Sequence, residues 1–147
     1  MKYIIGNDHG GLDLVDSVEE KLTSLGHKVE KVGTYSKDSC DYSDFAEKAC
    51  QKVVDKEADF AVLICGTGIG MSLAANKVKG IRACCVSDVF SAKMSRAHND
   101  CNVLCIGARV LGSELAKFIV EAFATTEFES GRHQRRVDKI IKIEEEN

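Results

Sequence analysis

The chain has 147 residues, 29% charged and 44% apolar, with a formal net charge of −3 at pH 7. This size and mix suit one soluble globular domain over 1–147, and the acidic balance argues against a general nucleic-acid binder. Seven cysteines without a C-x-x-C pair, and four histidines without H-x3-H or H-E-x-x-H spacing, argue against a disulfide framework, a redox dithiol and a structural zinc site.

The N-terminal apolar stretch Tyr3-Ile4-Ile5 is too short for a signal or membrane segment, so reduced thiols in the cytoplasm are expected. The same stretch reads as a first strand. Asn7-Asp8-His9-Gly10-Gly11 follows it, and then Leu12, Val15, Val18, Leu22 and Leu25 share one helix face until Gly26 stops the helix. Asp8 at that position can cap the helix, and His9 can bind phosphate or stand exposed. Lys28–Val32 alternates as a second strand. Asp41 or Ser43 can cap the next helix, where Phe45, Ala49, Val53 and Val54 line one side.

The third strand, Ala61–Cys65, ends in a thiol followed at once by Gly66-Thr67-Gly68-Ile69-Gly70 and a helix from about Met71 to Lys77. Glycine backbones let a ligand come close, and free amides at a helix start favour an anion and a thiolate. Cys65 can equally be the last core residue of a buried strand. The loop is neither G-x-G-x-x-G nor a P-loop. A phosphatase loop C-x5-R is also absent, because Met71 stands where the arginine is needed.

Ile81–Val86 reads as a fourth strand and Val89–His98 as a helix, with His98 near its C-terminus, where an imidazolium is favoured and simple capping is an alternative role. Val103–Ile106 is a fifth strand, followed by Arg109. Helices over about Ser113–Thr125 and Arg132–Ile143 complete the chain. Arg132 and Arg136, four apart, can clamp a phosphate from one helix face or form a solvated basic face. The alternation predicts an α/β fold, a three-layer αβα Rossmann-like sandwich of about five parallel strands. Ligands then bind beyond the carboxyl ends, where the loops after Ile5, Ile64 and Ile106 should meet.

Together these blocks resemble the type B ribose-5-phosphate isomerases of the ribose/galactose isomerase family, along nearly the whole chain. The likeness rests on Asp8-His9, Ile64–Gly70 with Ala74–Lys77, Gly80–Ala83, His98–Leu104, Gly107–Gly112 and Gly131–Gln134. It implies a metal-free, cofactor-free isomerisation of ribose 5-phosphate and ribulose 5-phosphate through an enediolate. Cys65 would be the base, Thr67 a hydroxyl-proton shuttle, and the amides of Gly66, Thr67, Gly68, Ile69 and Gly70 the anion hole. His98 would open the sugar ring. His9, Arg109, Arg132 and Arg136 would hold the phosphate, with Asp8 and Asn99 on the hydroxyls. The likeness further implies a homodimer, or a tetramer, with the site at the subunit interface and the His98-Asn99 region reaching the partner's pocket. Allose or galactose 6-phosphate isomerisation is an alternative, as is a sugar-phosphate-binding regulator without turnover. Two departures stand out: Ser43 replaces the family's proline after Tyr42, and Met71 replaces a glutamate that serves as base in some relatives.

Overall fold

The computed structural model describes residues 1–147. Strands β1 (Lys2–Asn7), β2 (Lys28–Lys31), β3 (Phe60–Cys65), β4 (Ala83–Cys85) and β5 (Val103–Gly107) form one sheet in the order β2-β1-β3-β5-β4. All four neighbouring pairs run parallel. Six helices surround the sheet: α1 (Leu12–Ser24), α2 (Tyr42–Val54), α3 (Ile69–Ala75), α4 (Val89–Ala97), α5 (Ser113–Thr125) and α6 (Arg132–Glu145). The result is the expected Rossmann-like three-layer sandwich.

Strands β3 and β5 are apolar throughout because both sheet faces are covered there. Successive side chains alternate between the two cores. Tyr3, Ile5, Val62, Ile64, Leu104 and Ile106 pack with α1, α4 and α5. Ile4, Ala61, Leu63, Cys65, Val103 and Cys105 face α2 and α3. Cys65 therefore points to the α2–α3 side, at the carboxyl end of β3.

Several boundaries move from the sequence expectation. A short 3-10 turn, His9–Gly11, precedes α1, and the Asp8 carboxylate accepts the Gly11 amide at 3.0 Å, so Asp8 does cap. Asp41 occupies the cap position of α2 without a side-chain bond, and Ser43 lies inside the helix. The fourth strand shrinks from Ile81–Val86 to three residues. Ile81 is buried in a turn that bonds Val78, and β4 is an edge strand with only β5 to pair with. Helix α3 begins two residues before Met71. No helix is long and apolar enough to cross a membrane.

Leu63, fully buried, and Leu115, 40% exposed, make a contrasting pair. Leu63→Ala should cost about 2–5 kcal/mol, and Leu115→Ala should stay within about 0.5 kcal/mol. Urea midpoints measured at unchanged slope check both.

Candidate active site

The parallel register sets the ends of β1, β3 and β5 side by side: Asn7 pairs with Ile64, and Cys65 with Gly107. The three following loops then lock together. The Asp8 amide donates to the Ile64 carbonyl (3.3 Å), the Ala108 amide to Cys65 (2.9 Å) and the Arg109 amide to Gly66 (3.0 Å). A Cβ at Gly66 would stand 3.0 Å from an Arg109 guanidinium nitrogen, and one at Gly10 would stand 3.4 Å from the other terminal nitrogen. The Arg109 side chain thus spans Gly10 and Gly66, beside His9.

Cys65 is 4% exposed. Its Sγ accepts the Gly68 amide at 3.1 Å. This bond requires Gly68 to turn left-handed (φ 80°), which glycine does without strain. The Ile69 amide is likewise engaged, by Thr67 Oγ1 at 3.3 Å. The amides of Gly66, Thr67, Gly70 and Met71 meet no protein acceptor. Four donors, from Gly66 to the first turn of α3, are thus left open in the loop that follows the thiol and are available to an anion. Of the five amides expected to form the hole, those of Gly68 and Ile69 already hold side chains of the loop itself.

Three contributors escaped the sequence reading. The Tyr42 ring lies against the glycine loop, its carbons 2.7–2.9 Å from where a Gly70 Cβ would be, so Gly70 leaves room for that ring. Tyr42 stood next to the Ser43 departure, but neither pattern nor spacing assigns it a contact. The Cys40 amide donates to His9 Nδ1 at 3.2 Å; in the neutral ring the proton then sits on Nε2, leaving an N–H donor for a ligand. The buried Asn7 side chain donates to the Asp8 (3.0 Å) and Thr34 (3.1 Å) carbonyls and ties β1 to the next loop. Burial pushes the Cys50 thiol up to about 12 and Cys105 well above the usual thiol range, so both serve as core hydrophobes.

The remaining expected residues lie elsewhere. His98 follows α4 at the amino-terminal edge of the sheet, where Arg96 stacks on Phe60 at the start of β3. The six-residue length of β3 puts that edge about 16–20 Å from Cys65. There the His98 ring stacks on His133 (4.1 Å, 9°), and its Nε2 is 3.6 Å from Glu129. Arg132 and Arg136 on α6 are exposed, bear electrostatically on His133 and form no ion pair; Asn99 is exposed beside them. One chain therefore gathers Asp8, His9, Cys65–Gly70 and Arg109 at one edge, and His98, Asn99, Arg132 and Arg136 at the other. The ligand atoms of His98, Glu129 and His133 lie within 4.8 Å of one another. Nearly parallel rings do not converge their lone pairs on one ion, and the two arginines oppose a cation. A cavity of about 670 Å³ between α6 and the α3–β4 connection is lined by no residue of the Cys65 loop.

A thiol ringed by amide donors and an arginine, at the carboxyl edge of a parallel sheet, defines the class: an α/β enzyme acting on a small anionic substrate. The ribose/galactose isomerase family model matches residues 3–140. Escherichia coli ribose-5-phosphate isomerase B is 46% identical over 144 residues, covering 98% of this chain and 97% of that protein. The structure of Clostridium thermocellum ribose-5-phosphate isomerase B superposes with TM-score 0.96 at 46% identity, covering 99% of each chain. The Mycoplasma genitalium ribose-5-phosphate isomerase B structure with bound ribulose 5-phosphate gives 0.93 at 40% identity, covering 99% of this chain and 97% of that one. The chain belongs to the ribose/galactose isomerase family.

Burial and the neighbouring His98 and Arg132 hold the His133 imidazole below its ordinary range. Burial and the N-terminal ammonium do the same for His27. Unfolding lets both rings protonate more readily, so stability is complete above about pH 6.5 and falls as pH drops from there. His133→Gln should flatten this acid slope in thermal melts between pH 7 and 5, and an unchanged slope would refute the assignment.

Proposed function

We propose that this chain, as a single domain, interconverts ribose 5-phosphate and ribulose 5-phosphate, with each active site shared between two copies. The observation that carries the reading is the Gly68 amide on Cys65 Sγ at 3.1 Å, within a ring of free amides and next to Arg109. Cys65 takes the proton from C2 of the open-chain aldose and returns it to C1. Thr67 relays the hydroxyl proton from O2 to O1, so the sugar keeps its atoms and changes only its carbonyl position. The loop amides stabilise the intervening enediolate, where negative charge develops on the two oxygens. His9 and Arg109 hold the phosphate, and Asp8 orients a sugar hydroxyl.

Ring opening falls to His98, with Asn99, Arg132 and Arg136, all from the partner copy. The length of the sheet between Cys65 and His98 within one chain supports this. So does the set of exposed apolar residues on the Cys65 edge: Ile69, Leu73, Val89, Phe90 and Val110, each at least 40% exposed. Such clustering marks a surface that a protein covers. Two arginines from the partner complete a phosphate clamp that Arg109 begins. The reducing cytoplasm, where seven unpaired cysteines persist, suits a thiol base.

Cys65→Ala should abolish isomerisation in both directions, His98→Asn should depress turnover of ribose 5-phosphate far more than that of ribulose 5-phosphate, and both variants should retain phosphate binding. Mixed after dissociation, the two variants should recover about one quarter of wild-type activity, because half the dimers are hybrids and each hybrid carries one intact site. No recovery on mixing would place both residues in one chain's site. His98→Asn alone should leave an aldose rate that levels off as enzyme is raised, since spontaneous ring opening becomes limiting. The ketose rate should stay proportional to enzyme. A parallel rate comparison on ribose, allose and galactose phosphates settles chain length: the pentose should lead, and a faster hexose would overturn the assignment.

A further inference from the structure

The corner after α4 is held by more bonds than a helix end needs. An ordinary stop is already present, since the Asp100 amide bonds the Arg96 carbonyl (3.3 Å) and Asp100 takes a left-handed turn (φ 47°) that few residues other than glycine, asparagine and aspartate adopt. Two guanidinium groups then converge on the Asp100 carboxylate, one to each oxygen: Arg96 on Oδ1 (2.9 Å) and Arg82 on Oδ2 (3.0 Å). Arg82 also donates to the carbonyls of Asn99 (3.2 Å) and Asp100 (2.9 Å), and Arg96 to that of Cys101 (2.6 Å). Neither arginine is loose. Arg96 is 8% exposed and lies 4.7 Å above the Phe60 ring, and the backbone of Arg82 is bonded by Asn102 on both sides.

We propose that Asp100, gripped by Arg82 and Arg96, is a positioning residue that sets the corner from which His98 and Asn99 enter the partner's Cys65 pocket. The inference rests on the shared-site reading above. Arg82 holds the Asn99 and Asp100 carbonyls, which fixes the backbone next to His98 while the Asn99 side chain stays exposed. Arg96 anchors the same corner to the start of β3, the strand that carries Cys65 at its other end. Two cations against one carboxylate also leave a net positive charge beside the corner that receives an anionic sugar. The carboxylate is the common element: without it, both guanidinium groups lose the partner that aligns them, although the backbone turn survives.

The test is Asp100→Asn, which keeps the backbone preference and the shape but presents an amide to one of the guanidinium groups. Turnover of ribose 5-phosphate should fall about 10- to 100-fold, as small misplacements of a reacting group do. The residual aldose rate should level off with rising enzyme, the signature of lost ring opening. Mixing with Cys65→Ala should restore about one quarter of wild-type activity, because the hybrid's intact site uses neither lesion. Arg82→Gln, which leaves the left-handed turn at Asp100 untouched, should show the same pattern more weakly and guards against a folding failure of Asp100→Asn. Wild-type aldose rates in both variants would overturn the proposal. So would a loss without levelling, or a loss that Cys65→Ala does not complement. His98→Asn mixed with Cys65→Ala is the control: its failure to recover would remove the shared site itself, and this role with it.

Discussion

Because β3 is buried on both faces, the chain leaving it at Cys65 must turn sharply to reach the surface, and the Gly68 amide is where that turn closes on the sulfur. The left-handed step at Gly68 aims one N–H back at Sγ and starts α3 at the next residue. The remaining amides are thereby fanned around the thiol. A side chain at 68 would also press on the Ile106 backbone, 2.9 Å from the would-be Cβ. The open loop amides, the placement of the Cys65 thiol and the packing of β3 on β5 all follow from this one turn. Preorganised dipoles of this kind cost little at the moment of reaction, since the fold has already set them.

A parallel sheet places all strand carboxyl ends on one edge, and this has a consequence for the second half of the chemistry. The helices return to the opposite edge, so α4 delivers His98 far from Cys65. No side chain spans a six-residue strand. His98 can therefore meet such a thiol only in another copy, as the shared-site proposal has it. The shared-site proposal pairs the exposed apolar residues around the Cys65 edge with the bare arginines of α6 across a symmetric interface.

Most of the fold was legible because its signals are local. Helix faces such as Leu12–Leu25 and strand runs such as Ala61–Cys65 follow from periodicity, and the alternation of the two implies a parallel sheet. Strand order was not legible, since exchanging β4 and β5 at the edge leaves every local pattern unchanged. The site was legible in part, through the resemblance and the glycine loop. Tyr42 against Gly70, and Cys40 on His9, depend on how the 33–41 loop folds back, which no spacing encodes. Asp8 shows how a bland role and a functional one can coexist: its Oδ1 caps the turn, while its place at the end of β1 keeps it beside the loop that surrounds Cys65. Division of the expected residues between two edges appears only once the direction of α4 and α6 is known.

Charge is distributed to match. A formal net charge of −3 would repel a doubly charged sugar phosphate if it were spread evenly. Half of the lysines pair with acids on the surface, as Lys2, Lys31 and Lys52 do with Glu30, Glu19 and Glu57. Such exposed pairs add little stability, but they cancel field locally. Arg109, Arg132 and Arg136 have no acidic partner, so their charge is uncompensated until an anion arrives. Arg109 sits on one edge and the other two on the opposite one. One copy alone cannot bring both sets together, and in the proposed dimer their meeting without substrate costs repulsion among like charges. Under the shared-site proposal the substrate phosphate relieves that cost, and substrate binding and subunit pairing then stabilise each other by the same electrostatic term.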